Sequence, residues 1–400
     1  MVEDPAAESA TKTQNTDKWP PGKFVNATWP ASSGIQHRPA YQYKAWVPPF
    51  IAAATPILTG KALLSLVNAE SQYKMLQPKI SAITDAFVRI EALSSSRIEG
   101  LKLSYKSLAM ALAGVSRSSS TAKAVAKNVY AINKAIELAS EAPFSVAMIQ
   151  NIHKILCEGT QLDSIAGEIR VSQNWIGKGQ HGPSPKDYAP PPPGNVERLL
   201  EDLCNFANRT DLPVVFQMAV THAQFELIHP FGDGNGRVGR CLMHAVQVRR
   251  LGADTPRAPF SSVLAASVDD YIASLERYRE GDLNGCIEFF SQAMSTSVGH
   301  MNFLASAISN LQVKWLEQLG VTRKESLQRK AIALLPSAPV VDAKLMSSML
   351  DVDMHQAIRT LNTLADFGIL EQLTSGKRNR VWVASEIIRL LEEYDFSVRV

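Results

Sequence analysis

The chain has 400 residues, 46% of them apolar, and its 41 basic and 38 acidic residues give a formal net charge of +3 at pH 7. This composition predicts two or three packed domains, and the nearly balanced charge excludes a general attraction to nucleic acid or to an anionic membrane. The cysteines indicate neither a zinc site nor a disulfide framework, because they lie far apart at Cys157, Cys204, Cys241 and Cys286.

The N-terminal part of the chain predicts an arm followed by helices. Its polar, acidic start is unlike a signal peptide, and no run of about 18 apolar residues follows, so we expect a cytoplasmic protein without a membrane span. Residues 1–45 mix turn-forming residues with isolated aromatic residues, which predicts a flexible arm laid over a surface. Residues 46–144 predict a helical region, in which one helix carries an apolar stripe of Ile80, Ile83, Phe87, Ile90 and Leu93. Gly100 is expected to end that helix.

Residues 145–295 continue the helical pattern with one interruption. The stretch Arg170–Asn195 contains several glycines and four successive prolines, so it predicts a short hairpin or extended flap, with helix resuming at Val196. Two helical stretches then flank the segment HPFGDGNGRVGR, residues 229–240. This segment is therefore expected to form a turn between two helices, with Asn235 near the start of the second helix.

The last part of the chain has a different pattern. Residues 296–324 predict a helical linker, and residues 325–400 predict three helices and a two-stranded turn at Ser375–Gly376, the order of a winged helix-turn-helix. Few basic residues lie on the candidate recognition helix and wing: His355, Arg359, Lys377, Arg378 and Arg380. This low charge favours protein docking or homodimer formation over DNA binding.

The segment His229–Arg240 has the parts of an anion site. Its glycines permit tight turns, and the following helix directs free amides and the positive end of its dipole into the turn. Arg237 and Arg240 lie one helical turn apart and are suited to two phosphates. Asp233 fits a Mg²⁺ ligand that bridges to phosphate oxygens, and His229 fits a general base. The parts describe nucleotidyl or phosphoryl transfer, although a glycine-rich turn with a helix-capping Asp and solvated arginines has the same pattern.

The same segment resembles the signature HPFx(D/E)GNGRxxR of the Fic (Fido) family at every fixed position. Residues 166–177 and 269–290 resemble the family's flap-leading segment and closing helix pair. The resemblance implies a mainly α fold, with a Fic-type helical core at residues 145–295, a β-hairpin flap and the C-terminal winged helix-turn-helix. It also implies a protein adenylyltransferase, which transfers AMP from ATP, with Mg²⁺, to Ser, Thr or Tyr hydroxyls of a target protein or of itself.

The resemblance implies a nucleotide-binding set at Phe231, Gly232, Gly234, Asn235, Gly236, Arg237, Arg240 and Tyr271. Asn235 and the neighbouring glycine amides would surround the α-phosphate, while Arg237 and Arg240 would bind the β- and γ-phosphates. Phe231 would anchor the loop in the core, and Tyr271 would either stack on adenine or pack in the core. His229 would be the base and Asp233 would hold Mg²⁺. The target would dock on the flap at Trp175, Ile176 and Gly177.

A second motif, SSSRIEG, occupies residues 94–100. Ser95 and Glu99 lie four residues apart at a helix end that Gly100 terminates, which alone describes a capped, solvated helix end. Beside a Fic-like core it resembles the family's inhibitory motif (S/T)xxxE(G/N). Glu99 would then pair with Arg240 in the place of the γ-phosphate, so that ATP binds in a pose unsuited to in-line attack.

Two other functions stay open at this point. The same site could remove AMP from a modified protein, with Glu99 positioning water, or the chain could be a transcriptional regulator that only senses ATP. Transfer of UMP, GMP or phosphocholine is also open, because base recognition depends on the shape of a pocket that no short motif records.

Overall fold

A computed structural model describes residues 19–31, 39–75, 83–114, 119–177, 182–184, 187–320, 326–373 and 380–393. Within these residues the fold is mainly helical, with fifteen α-helices and two small antiparallel sheets, and the predicted fold class is confirmed. None of the helices in the described part of the chain combines the length and apolar character needed to cross a membrane.

The helices are α1 Gly60–Lys74, α2 Thr84–Ile98, α3 Tyr105–Leu112, α4 Ser120–Glu141, α5 Val146–Cys157, α6 Pro193–Ala207, α7 Val214–Ile228, α8 Asn235–Leu251, α9 Phe260–Ala266, α10 Val268–Arg279, α11 Leu283–Gln318, α12 Leu327–Leu334, α13 Ala343–Leu350, α14 Met354–Asp366 and α15 Ser385–Glu393. The strands are β1 Lys23–Trp29, β2 Tyr41–Val47, β3 Val340–Asp342, β4 Glu371–Gln372 and β5 Val381–Val383.

Helices α7 and α8 form the centre of the fold. Every residue of α7 is buried, and α8 is buried from Asn235 to Val248, as expected for helices that are surrounded on all sides. Helices α4, α5, α6 and α11 pack around this pair. The turn that joins α7 to α8 therefore emerges at the edge of the main core.

Helix α2 packs against α4 and α9 and carries the second motif at its C-terminal end. Ile80 lies outside the described residues, but Ile83, Phe87, Ile90 and Leu93 are all buried, so this part of the predicted stripe is confirmed. The helix ends at Ile98, Glu99 is its C-cap, and Gly100 adopts φ +81°, a left-handed conformation that favours glycine.

The structure adds local detail to the expected elements. Residues 23–29 and 41–47, which overlap the arm expected at residues 1–45, are strands that pair in antiparallel register from Lys23–Val47 to Trp29–Tyr41. Helix α6 begins at Pro193 rather than at Val196, because a proline at the first helical position lacks only an amide that no helical bond would use. The expected border between the helical region 145–295 and the linker 296–324 lies inside α11, which is one uninterrupted 36-residue helix.

The C-terminal elements contain α12 to α14 and a three-stranded antiparallel sheet in the order β3, β5, β4. The predicted turn Ser375–Gly376, with Lys377 and Arg378, lies outside the described residues, and the winged helix-turn-helix stays a prediction. Arg380 packs over the Trp382 ring, 5.1 Å from its centroid, and donates to Asn362 Oδ1 at 3.2 Å. Arg380, one of the basic residues expected on the wing, therefore already has partners within the C-terminal region.

Candidate active site

The turn between α7 and α8 holds His229 in an unusual backbone conformation. His229 caps α7 with φ 48°, a left-handed conformation that is disfavoured for a side chain with a Cβ. Its amide donates to Phe225 O at 2.9 Å, and its carbonyl accepts from Arg170 Nε at 2.8 Å. These two bonds hold the residue at the mouth of the turn.

The side chain of Asn235 fixes the shape of the turn. Its Oδ1 accepts from Phe231 N and its Nδ2 donates to Phe231 O, both at 2.9 Å. The side chain is 2% exposed, and these two bonds fix the loop between Phe231 and the start of α8. Gly234, at φ +81°, then leads into α8. Gly232, which belongs to the expected nucleotide-binding set, lies in the same turn.

His153, which the sequence did not indicate as part of the site, packs against the turn. The ring of His153, on α5, stacks on Phe231 with 3.8 Å between centroids, so Phe231 anchors the loop in the core. His153 Nδ1 accepts from Gly167 N, and Nε2 therefore carries the proton and donates to Asp233 O, both at 3.0 Å. Burial lowers the pKa of His153 to about 4, which keeps this neutral tautomer.

His229 has the geometry of a proton acceptor. Its Nδ1 lies 3.3 Å from Glu226 O, and because a carbonyl only accepts, Nδ1 carries the hydrogen and Nε2 keeps its lone pair. Burial lowers the pKa of His229 to about 4, and the positive charge of Arg170 acts in the same direction. The imidazole is therefore neutral at pH 7 and able to take a proton.

Arg170 is the second residue that the sequence reasoning missed. It is buried, and its hydrogen bonds to the described residues all go to backbone carbonyls: Nε to His229, Nη1 to Ser172, and Nη2 to Pro191 at 2.6 Å and to Ile228. One side chain thus joins both arms of the flap to the turn that holds His229. The signal in the sequence was weak, since these carbonyls lie up to 59 positions away.

Arg237 and Asp233 form a loose ion pair between the turn and the first turn of α8. Arg237 is 5% exposed, and its Nη2 lies 3.6 Å from Asp233 Oδ1. The Asp233 carboxylate is 59% exposed and also accepts from Gly234 N. Among the described residues, no group of three or more metal-ligating acids, histidines or cysteines occurs. One carboxylate suffices for Mg²⁺ when substrate phosphates and water complete its coordination, so Asp233 fits the predicted ion.

Arg240 is held by the second motif. Its Nε donates to Ser95 Oγ at 2.8 Å, and its Nη2 donates to Ser95 O at 2.9 Å and to Glu99 Oε1 at 2.7 Å. Burial alone would raise the pKa of Glu99, but the Arg240 charge and hydrogen bond lower it below its usual value. The structure thus brings Ser95 and Glu99 together on the buried guanidinium of Arg240.

Comparison with known proteins agrees with this arrangement. The profile of the Fic/DOC family matches residues 143–246, and that of the Fic/DOC family N-terminal region matches residues 67–137. These two segments identify a Fic/DOC region in the chain. The chain is 31% identical over 157 residues to a probable protein adenylyltransferase of Aquifex aeolicus, across 39% of this chain and 43% of that protein. It is 28% identical over 145 residues to protein adenylyltransferase fic-1 of Caenorhabditis briggsae, across 34% of this chain and 27% of that protein.

The matches therefore span less than half the length of these two relatives. A solved Fic family protein from Desulfovibrio desulfuricans superposes with a TM-score of 0.51 at 19% identity, covering 82% of this chain and 97% of that one. At this identity the likeness concerns the fold alone.

A buried polar cluster of Tyr271, His222 and Glu226 lies next to Arg240. Tyr271 Oη lies 2.8 Å from His222 Nε2 and 3.5 Å from Arg240 Nη1. Tyr271 is 4% exposed, so it packs in the core, one of the two positions expected from the sequence. No base could stack on its ring without displacing the neighbouring side chains. In this cluster, burial and the nearby Glu99 charge raise the pKa of Glu226 to about 8.

In the described part of the flap, a pair of backbone hydrogen bonds joins Ile176 to Tyr188. Ile176 N donates to Tyr188 O at 2.8 Å, and Tyr188 N donates to Ile176 O at 2.9 Å. The N-terminal strand pair packs on it: Trp46 N donates to Ala189 O at 2.8 Å, and the rings of Trp29 and Trp175 meet edge to face at 5.0 Å. Gly177 lies so close to Asp187 that a Cβ would collide with its carboxylate.

Proposed function

We propose that the chain is an autoinhibited protein adenylyltransferase, which transfers AMP from ATP to Ser, Thr or Tyr hydroxyls of a target protein and of itself. The names of the relatives from Aquifex aeolicus and Caenorhabditis briggsae support the transfer of AMP to protein. One observation carries the autoinhibition: the Glu99 carboxylate lies 2.7 Å from the buried Arg240 guanidinium, beside the turn that presents His229.

His229 would act as the general base in this reaction. Its Nε2 lone pair takes the proton of the target hydroxyl while the hydroxyl oxygen forms a bond to the α-phosphorus of ATP. The bond from that phosphorus to the bridging oxygen of the β-phosphate breaks, and pyrophosphate leaves with the electron pair. The left-handed backbone at His229 and its bond to Arg170 fix the direction from which the base reaches the hydroxyl.

The triphosphate would lie across the first turn of α8. The amide of Gly236 would donate to the α-phosphate at the positive end of the helix dipole, and that of Gly234 would do so after leaving the Asp233 carboxylate, to which it now donates. Asn235 keeps the loop in shape. Arg237 and Arg240 would bind the β- and γ-phosphates with forked hydrogen bonds. Asp233 would hold Mg²⁺, which neutralises charge on the phosphates when bound.

Glu99 would inhibit by occupying this anion site itself. A Cβ at Gly236 would collide with Glu99 Oε1, so the carboxylate lies directly against the start of α8 as well as on Arg240. A γ-phosphate cannot occupy the same guanidinium, because the two anions repel and compete for the same donors. ATP must therefore bind with its γ-phosphate elsewhere until Glu99 moves.

The flap and the outer regions would select the target. Ile176 already pairs with Tyr188, so an extended target segment would add to the other side of the strand that carries Trp175, Ile176 and Gly177. For the C-terminal region we propose a docking or dimerising role rather than DNA binding, because the described Arg380 is engaged by Trp382 and Asn362.

Intact mass spectrometry tests this proposal. The purified protein is incubated with ATP and Mg²⁺, and wild type is compared with Glu99→Gly and with Glu99→Gly/His229→Ala. We expect the Glu99→Gly protein to gain the mass of AMP and the double variant to gain none. A mass gain in the double variant would reject His229 as the base, and the gain of a phosphate instead of AMP would reject adenylyl transfer.

A further inference from the structure

A cavity of about 570 Å³ opens beside the phosphate end of the site. Glu99, Asp233 and Arg237 form its inner wall, while the first turn of α4 and residues 159–162 form its outer wall. The reaction proposed for the site uses no residue of the outer wall. The cavity therefore extends the anion site away from Arg240 and toward α4.

The inner wall contains a cation whose hydrogen-bonding capacity is not filled. Arg237 is almost completely buried, yet its Nε has no hydrogen-bond partner among the described residues. Its ion pair with Asp233 is loose, at 3.6 Å. Because Nε is itself shielded, the group that lines the cavity is the terminal part of the guanidinium, which has only the loose Asp233 pair, and an anion in the cavity would give it a second partner.

The outer wall offers donors that match such an anion. Lys123 lines the cavity and is exposed. The first helical bond of α4 runs from Lys123 N to Ser119 O at 3.0 Å, so the amides of Ser120 and Thr121 precede the helical ladder and are available to a ligand. An ammonium group and the positive end of a 22-residue helix thus face Arg237 across the cavity.

We propose that this cavity is a pyrophosphate site, which receives the leaving group when Glu99 returns to Arg240. The inference rests on the proposed transfer of AMP. At the moment of bond cleavage the diphosphate lies on Arg237 and Arg240. Glu99 and a phosphate cannot share Arg240, so the returning carboxylate displaces the diphosphate toward the remaining cation, Arg237, and toward Lys123 and the amides of α4.

The diphosphate group of ATP has the same hydrogen-bond acceptors as free pyrophosphate, but it cannot move as far into the cavity. In ATP it is tethered to the α-phosphate, which lies at Gly234 and Gly236, whereas free pyrophosphate has no tether and can move fully into the cavity. Lys123 should therefore matter more to free pyrophosphate than to ATP, and more when Glu99 is present than when it is absent.

Isothermal titration calorimetry with Mg-pyrophosphate tests the site in the full-length protein. We expect Lys123→Ala to raise the Kd of pyrophosphate by about 5-fold or more in wild type, and by less than about 2-fold in Glu99→Gly, where Arg240 stays available. The Kd of ATP in wild type should change by less than about 2-fold. Lys127→Ala is the matched control, because Lys127 lies one turn further along α4 and does not line the cavity.

Four results would overturn the inference. These are no binding of pyrophosphate to wild type at millimolar concentration, an unchanged Kd in Lys123→Ala, an equal effect of Lys127→Ala, and an equal loss of affinity for ATP. The last result would assign the cavity to the tail of bound ATP. Binding is measured without a target and without turnover, so a failure of AMP transfer in the mass assay would reject the proposed function independently of this site.

Discussion

Replacing Glu99 with glycine should raise AMP transfer by about 10- to 100-fold. Arg240 is 1% exposed and can serve either Glu99 or the γ-phosphate, so removing the carboxylate leaves only the productive partner. A hydrogen bond to a charged group contributes about 1.5–3 kcal/mol, and each 1.4 kcal/mol is a factor of ten in the population of the released state. The initial rate of AMP incorporation from α-labelled ATP, including self-modification, measures this gain.

The controls separate loss of the ion pair from a general effect of glycine. Glu141→Gly removes another exposed glutamate at the end of a helix, α4, and should leave the rate unchanged. Arg240→Ala combined with Glu99→Gly should lose the gain, because the freed guanidinium is the group that binds the γ-phosphate. Equal rates for wild type and Glu99→Gly, with ATP bound by both, would refute the inhibitory role and return residues 94–100 to a plain helix end.

Three further predictions follow from the geometry around His229. His229→Ala should reduce transfer by about 100-fold or more while leaving the Kd of ATP within about 2-fold, and a normal rate in this variant would mean that another group is the base. Because the pKa of His229 is lowered to about 4, the histidine is an active base above that pH and loses this role as pH falls through it. The rate of Glu99→Gly should thus be flat between pH 8 and 6, and a half-loss near pH 6.5 would contradict the assignment. Arg170→Gln should lower the rate at least about 10-fold and move the acid limb to higher pH, whereas a purely structural role for Arg170 would lower the rate without moving that limb.

The sequence predicted best what depends on neighbouring residues. The periodic apolar residues of α2 and the glycine at position 100 are local signals, and both occur as expected. The spacing of Ser95 and Glu99 also predicted one shared face. That this face meets Arg240, which lies 141 positions from Glu99, came only from the family resemblance.

The features that were missed depend on contacts between distant segments. Arg170 and His153 bind backbone groups that no residue pattern records, and a sequence cannot distinguish the buried Tyr271 from one that stacks on a base. Strand β2 is stabilised by its bond to Ala189 in the flap, about 140 positions away. Such elements are specified by the surface on which they pack rather than by their own propensity.

The most direct test of AMP transfer compares two positions of a radioactive label. Glu99→Gly is incubated with Mg²⁺ and with ATP labelled either at the α-phosphate or at the γ-phosphate, and protein-bound label is counted. The account predicts stable labelling from α-labelled ATP, none from γ-labelled ATP, and none from either in Glu99→Gly/His229→Ala. Labelling from γ-labelled ATP, or no labelling from either nucleotide by a folded protein that binds ATP, would contradict it.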